Sequence, residues 1–259
     1  MLKKIILVLI FIGIISVVCI RNANKPDLYK SIMKRGKLTV GISYDSKPFA
    51  YRDNDGHVYG IDADIAREIS RRIFGKDKRV IFKQIAPKER INAIIAGDVD
   101  IVISTMTITP QREKFVIFSD PYYIAGQAIC VRENSCIRGC SDLNKKKIIV
   151  VIGTTAEKNI RDFIPKANVQ GYIKRSDAFN AFKHGEGDAI TMDDSLLSGF
   201  VMEHDGYKIL PIRFTEEPYG IAFKKSDETD SLRKNINKIL NDIKLDGTFD
   251  SIKGKWGFY

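Results

Sequence analysis

The chain has 259 residues, 44% hydrophobic and 29% charged, with 19 Gly and 8 Pro, which excludes disordered, collagenous and low-complexity polymers. That length suits one large domain or two lobes that each bury a core. Lys and Arg number 42 against 32 Asp and Glu, but the two signs are interleaved, and neither zinc-finger spacing nor an aromatic-basic RNA motif occurs. Nucleic acid is therefore not expected as a partner, and the charge supports only attraction to acidic ligands or anionic surfaces. At the amino terminus, Lys3 and Lys4 precede an uncharged run from Ile5 to Val18. A basic head before an apolar core shorter than a membrane span is the layout of an export signal over residues 1–18, or of a retained anchor. The chain is expected to be exported. Residues 19–36 begin at Cys19 and read as a polar tether.

From Lys37 the pattern alternates between strand and helix. Leu38 to Ile42 reads as a strand, Asp55-Gly56 as a turn, and Ile61, Ile65, Ile69 and Ile73 as one helix face ending near Gly75. Val80 to Ile85 is a strand, and Ile91, Ile94 and Ile95 mark a helix that Gly97 stops. Val99 to Ile103 reads as an apolar strand of the kind buried on both faces of a parallel sheet. A second set follows. Ile124 to Val131, Ile148 to Ile152, Ala189 to Met192 and Tyr219 to Phe223 read as strands. Helices are expected from Thr155 to Phe163, from a Ser176 cap to Gly185, over Asp194 to His204, and through Leu232, Ile236, Ile239, Leu240 and Ile243. Alternating β and α units mean an α/β fold with mainly parallel sheets. Two similar halves suggest two lobes with a cleft at strand carboxyl ends, where such sheets bind ligands.

The densest polar cluster, Ser104 to Arg112, directly follows the buried strand. Thr109 followed by Pro110 is a helix start, and free amides there with Arg112 in the first turn could hold a carboxylate. An ordinary cap with a solvated arginine explains the same residues. Cys136 and Cys140 stand in a polar stretch and could close a small disulfide loop after export. Cys130 reads as a buried small residue, and the scattered His57, His184 and His204 give no metal-ligand spacing.

Thr105-Met106-Thr107-Ile108-Thr109-Pro110-Gln111-Arg112, then Phe118-Ser119-Asp120-Pro121-Tyr122-Tyr123, resembles the solute-binding proteins of polar amino-acid ABC importers. Further blocks agree in order and spacing: Pro48-Phe49, Gly60-Ile61-Asp62-Ala63-Asp64, Gly153-Thr154-Thr155-Ala156-Glu157, Met192-Asp193-Asp194-Ser195-Leu196-Leu197, Glu217-Pro218-Tyr219-Gly220, and Asp246-Gly247-Thr248-Phe249 leading to Trp256. The resemblance implies a two-lobed, type II periplasmic-binding-protein-like fold. Residues 37–125 and 219–259 would form one lobe and 126–218 the other, joined by a two-strand hinge with Gly126 and Gly220 absorbing the motion. It implies that Arg112 and Thr107 grip an α-carboxylate, that Thr155, shaped by Thr154 and Gly153, donates an amide to it, and that Asp193 and the Thr105 carbonyl take the α-ammonium. Arg90 matches an arginine that acidic-amino-acid receptors place near the side-chain carboxylate, so glutamate is favoured, then glutamine or aspartate.

Two departures bear on selectivity. Ser43 stands where some glutamate and aspartate receptors carry a second arginine, and Ser46 where many relatives carry a stacking aromatic, with Tyr44 or Phe49 as substitutes. Cys19 resembles a lipoprotein's lipidated cysteine, although Val18 replaces the usual small residue. The resemblance also implies a membrane permease as partner, a location in the periplasm or on the outer face of the cytoplasmic membrane, and no cofactor. Two rival readings share the fold: a dehydratase of a small carboxylic acid, using Glu157, Asp193 or His184 as acid or base, and a membrane-anchored ligand sensor.

Overall fold

The computed structural model describes residues 27–75 and 79–258. The export signal over 1–18, Cys19 and the start of the tether lie outside the described residues. The rest of that tether is not extended. Leu28–Arg35 is an α-helix (α1), capped by the Asp27 carboxylate and closed by Gly36 at φ 69°. A single fully buried side chain, Ile32, fastens it to the first core.

The chain then runs through β1 (Leu38–Ile42), β2 (Asp45–Ser46), β3 (Ala50–Arg52), β4 (Val58–Tyr59), α2 (Ile61–Phe74), β5 (Val80–Gln84), α3 (Arg90–Ala96), β6 (Ile101–Val102), α4 (Pro110–Glu113) and β7 (Val116–Phe118). After β8 (Tyr123–Ala125) come β9 (Gln127–Arg132), β10 (Lys147–Val151), α5 (Thr155–Phe163), β11 (Asn168–Tyr172), α6 (Arg175–Lys183), β12 (Ala189–Asp193), α7 (Asp194–Glu203) and β13 (Tyr207–Ile209). The return is β14 (Glu217–Tyr219), β15 (Ala222–Lys224), α8 (Asp230–Leu245) and α9 (Thr248–Lys255).

Two five-stranded sheets result, ordered β5-β1-β6-β15-β7 and β11-β10-β12-β9-β13. In each, three parallel strands come first, and β15 and β9 run antiparallel to β6 and β12. The two lobes thus share a plan, and each has its own apolar core. Ile61, Ile65, Ile69 and Ile73 of α2 all face the first core, and each such burial contributes about 1.5–3 kcal/mol. Phe182, Phe200, Ile190 and Val151 anchor a core of the second. Between the sheets, β8 and β14 pair antiparallel, Tyr123 opposite Tyr219, as two adjacent crossings of the chain.

Several expected elements differ in detail. The strand expected over Val99 to Ile103 shortens to Ile101–Val102, because Asp100 accepts the Thr39 amide at 2.7 Å and pairs with Arg35. The expected strands at 124–131 and 219–223 each split, at Gly126 and at Gly220-Ile221, where the chain passes between lobes. Ser176 is not the cap of its helix: α6 begins at Arg175, and the Ser176 amide donates to Asp45 Oδ2 at 3.2 Å.

Candidate ligand-binding cleft between the lobes

The carboxyl ends of the parallel strands and the N-termini of the following helices meet at one tightly closed cavity with about 10 Å³ of free space, room for about one water. Its lining contains all seven residues expected to bind ligand: Arg90, Thr105, Thr107, Arg112, Thr154, Thr155 and Asp193. Each lobe supplies part of it.

On the first lobe, Ser104 and Thr105 leave β6, and Thr105 turns back on itself at φ 43°, a left-handed conformation rare for a side chain of its size. Thr109 caps α4 by accepting the Arg112 amide, with Pro110 at the first helical position as expected. This aims the Arg112 guanidinium inward, where it donates to the Thr107 carbonyl at 2.7 Å and reaches across to the Gly153 carbonyl at 3.2 Å. Arg90, 2% exposed, donates to the carbonyls of Pro87, Ser104 and Thr105 and, at 3.4 Å, to that same Gly153 carbonyl.

On the second lobe, β10 ends in Gly153 at φ 83°, and Thr154 caps α5 by accepting the Glu157 amide. Thr155 donates its hydroxyl to Glu217 Oε2 at 2.8 Å, leaving its amide at the mouth of the helix. Gly153 is required by contact as well as by φ, since a Cβ there would stand 2.7 Å from Lys88 Cα of the first lobe. Asp193 ends β12 and accepts the Tyr219 hydroxyl. Burial is the main force on its carboxyl and pushes it up to about 6, with the Tyr219 hydroxyl and Arg175 opposing.

Sequence reasoning missed Arg175. It stands at the start of α6 in the second lobe, is 2% exposed, and donates to Ser43 Oγ at 3.1 Å and Thr105 Oγ1 at 3.0 Å in the first. A cap at Ser176 would place Arg175 before the helix, whereas it is the first helical residue. Ser43, where relatives can carry an arginine, thus has one delivered from the opposite lobe.

The cavity lining therefore has three guanidiniums and one carboxylate, with the Asp45 carboxylate 4.0 Å from Arg175 and the Asp62 carboxyl acting on Arg90 and Arg175 from behind it. Burial, then the neighbouring Arg112 and Arg175, push the Arg90 guanidinium well below its usual range, and burial lowers that of Arg112. Such a cluster favours an anion. No aromatic side chain lines the cavity among the described residues. Phe49 is wholly buried against Tyr123, Tyr219 and Phe258, and the Tyr44 hydroxyl donates to the Phe82 carbonyl, so neither stacks on a ligand. Of the acid and base candidates, only Asp193 reaches the cavity. Glu157 accepts the Gly153 amide outside it, and exposed His184 lies at the far end of α6.

The thiols of Cys130, Cys136 and Cys140 are free, so the disulfide expected between Cys136 and Cys140 is not formed in this structure. The expected hinge glycines take no left-handed conformation, and a Cβ on Gly126 would first meet the Arg213 side chain, at 2.1 Å. What holds Gly126 is reciprocal bonding with Asp194, backbone at 2.8 Å and carboxylate at 3.1 Å. No helix of the described residues is long and apolar enough to cross a membrane.

Comparison with known proteins agrees. The glutamine-binding protein GlnH of an ABC transporter of Bacillus subtilis (strain 168) is 39% identical over 235 residues, covering 90% of this chain and 85% of its own. The glutamate-binding protein GluB of Corynebacterium glutamicum is 29% identical over 245 residues, 89% of this chain and 82% of its own. The crystal structure of an ancestral amino-acid-binding protein, described as a precursor of cyclohexadienyl dehydratase, superposes with a TM-score of 0.82 at 36% identity, covering 88% of this chain and 99% of that one. The fold is the two-lobed, periplasmic-binding-protein-like α/β architecture. Residues 38–258 match the family described as bacterial extracellular solute-binding proteins, family 3, and the chain belongs to it.

Proposed function

We propose that the protein is an extracytoplasmic receptor that binds a polar amino acid between its lobes, L-glutamate before L-glutamine or L-aspartate, and delivers it to the membrane permease of an ABC importer. Tethering through Cys19 or the N-terminal apolar segment would keep it at the outer face of the membrane. The observation that carries the ligand assignment is the balance of three guanidiniums against one carboxylate, with no aromatic platform. A zwitterion with a second carboxylate reduces that excess charge. Glutamine leaves it unchanged, and arginine adds to it. In this reading Arg112 and the Thr155 amide take the α-carboxylate, with Thr107 and Thr154 shaping the contact. Asp193 and the Thr105 carbonyl take the ammonium, and Arg90 and Arg175 face the side chain. Closure follows from binding, because only the closed state brings groups of both lobes onto one ligand.

Thermal unfolding against the twenty amino acids and a set of small carboxylic acids tests this. A ligand at a hundred times its dissociation constant stabilises by about 2.7 kcal/mol. The shift is expected for glutamate, aspartate or glutamine, and is lost in Arg112→Ala and Asp193→Ala. No response to any amino acid, with a shift from a carboxylate that lacks an ammonium, would overturn the receptor reading.

A further inference from the structure

The segment Gly60-Ile61-Asp62-Ala63-Asp64 does not line the cavity, yet it contains a carboxylate at 0% exposure. Gly60 lets the chain pass against the Phe49 carbonyl, where a Cβ would come within 2.1 Å. The amides of Ile61 and Asp62 then donate to Pro48 and Phe49, which fixes the first turn of α2. Asp64 faces outward to Arg67, Lys255 and Trp256 and fastens the carboxyl-terminal helix. Asp62 faces inward. Its Oδ2 accepts the Thr105 amide at 2.9 Å and its Oδ1 accepts the Tyr122 hydroxyl at 2.8 Å.

Thr105 is the residue held at φ 43°, a conformation that costs about 1–3 kcal/mol and persists only where the surroundings impose it. Its carbonyl accepts from Arg90 at 3.3 Å and its hydroxyl from Arg175 at 3.0 Å. One backbone turn therefore sets the direction of two cavity arginines. We propose that Asp62 is a positioning residue for the ligand site, holding Thr105 in the left-handed turn through which Arg90 and Arg175 are aimed, and that its ionised form is the one that does so. An ionised Asp62 offers an accepting oxygen to each donor, the Thr105 amide and the Tyr122 hydroxyl, whereas a protonated one keeps only its carbonyl oxygen as a strong acceptor.

Burial pushes the Asp62 carboxyl up to about 7, opposed by the bonds from Tyr122 and Thr105 and by the charges of Arg175 on α6 and Arg90 on α3. Positioning is therefore lost as pH falls through about 7. Asp193, at about 6, titrates below that step. A Coulomb effect opposes the positioning effect, since neutralising Asp62 strengthens the pull of the two arginines on an anion. The sign of the affinity change thus separates the two.

The inference rests on the proposed receptor reading for its binding half only, so the test has a ligand-free arm. The amide signal of Thr105 in the nitrogen-15-labelled protein is followed from pH 5.5 to 8.5 without ligand, and the dissociation constant for L-glutamate is measured across the same range. In the wild type the Thr105 signal moves with a midpoint near 7, and glutamate binds more weakly below it. Asp62→Asn, which mimics the protonated side chain, abolishes the Thr105 transition and weakens glutamate binding about tenfold at pH 8. Tyr122→Phe keeps the carboxylate but removes a bond to its ionised form, so the midpoint moves up. A Thr105 signal that does not titrate, an unmoved midpoint in Tyr122→Phe, or unchanged or tighter glutamate binding in Asp62→Asn would overturn the proposal. A Thr105 transition in a protein that binds no glutamate, glutamine or aspartate would instead count against the receptor reading, with the coupling intact.

Discussion

Gly153 offers the sharpest test of the cleft as a closing device. Substituting Ala adds one carbon, and its cost divides into two separable parts. The first is conformational: φ 83° suits glycine, and an L-residue there loses about 1–2 kcal/mol. That cost is present whether or not the lobes meet, so it lowers stability without altering affinity. The second is steric. The new Cβ would lie 2.7 Å from Lys88 Cα and 2.9 Å from Lys88 N, contacts with the backbone of the other lobe that no rotamer change relieves. Overpacking of this kind costs about 1–3 kcal/mol and exists only when the lobes are together, which predicts a dissociation constant raised about 5- to 150-fold. Calorimetric titration with L-glutamate reads the second part, and thermal unfolding without ligand reads the first, as a fall of about 2–4 °C per kcal/mol. Affinity within twofold of the wild type, alongside the expected fall in Tm, would show that the Gly153–Lys88 approach is no part of the bound state.

Arg175→Met keeps the volume and removes the charge, so L-glutamate affinity should fall about tenfold or more while L-glutamine affinity falls much less; equal losses in calorimetry would remove Arg175 from side-chain recognition. Asp193 at about 6 and Asp62 at about 7 both lie above their unfolded value near 3.8, so their contributions to stability are full below about pH 4 and lost as pH rises through 6 to 7. Urea unfolding of ligand-free Asp193→Asn against wild type should show the gap shifting in the mutant's favour over that window. A ligand ammonium favours ionised Asp193, so the glutamate-induced rise in Tm should be larger at pH 7.5 than at pH 5.5. Thiol labelling read by peptide mass should modify exposed Cys136 first and half-buried Cys140 next. Cys130, wholly buried with its thiol pushed up to about 12, should react only on unfolding.

Much of the architecture was legible because apolar spacing and glycine stops coincide. The four isoleucines of α2 and the Gly97 stop of α3, at φ 78°, are local signals that tertiary packing did not override. Elements with thin signals were not legible. Helix α1 has one fully buried side chain, Ile32, with Leu28 and Tyr29 packed partly buried beside it, and the breaks at Gly126 and Gly220-Ile221 follow from where the chain crosses between lobes. Within the site, Arg112 could be placed from its cap and the strand before it, both local. Arg175 could not, because its partners Ser43 and Thr105 are 132 and 70 residues away and belong to the other lobe. Asp62 stood within a recognised block, but its role depends on the backbone angle of Thr105, which no side-chain pattern encodes.

The central claim is that the excess of guanidiniums selects a second carboxylate. L-glutamate and L-glutamine are nearly isosteric and differ at that one group, so their dissociation constants, measured side by side at pH 7.5, isolate it. A charge-assisted bond is worth about 1.5–3 kcal/mol and a neutral one about 0.5–1.5, which predicts glutamate tighter by about tenfold. Glutamine binding more tightly than glutamate, or arginine more tightly than either, would contradict the assignment of Arg90 and Arg175 to the ligand side chain.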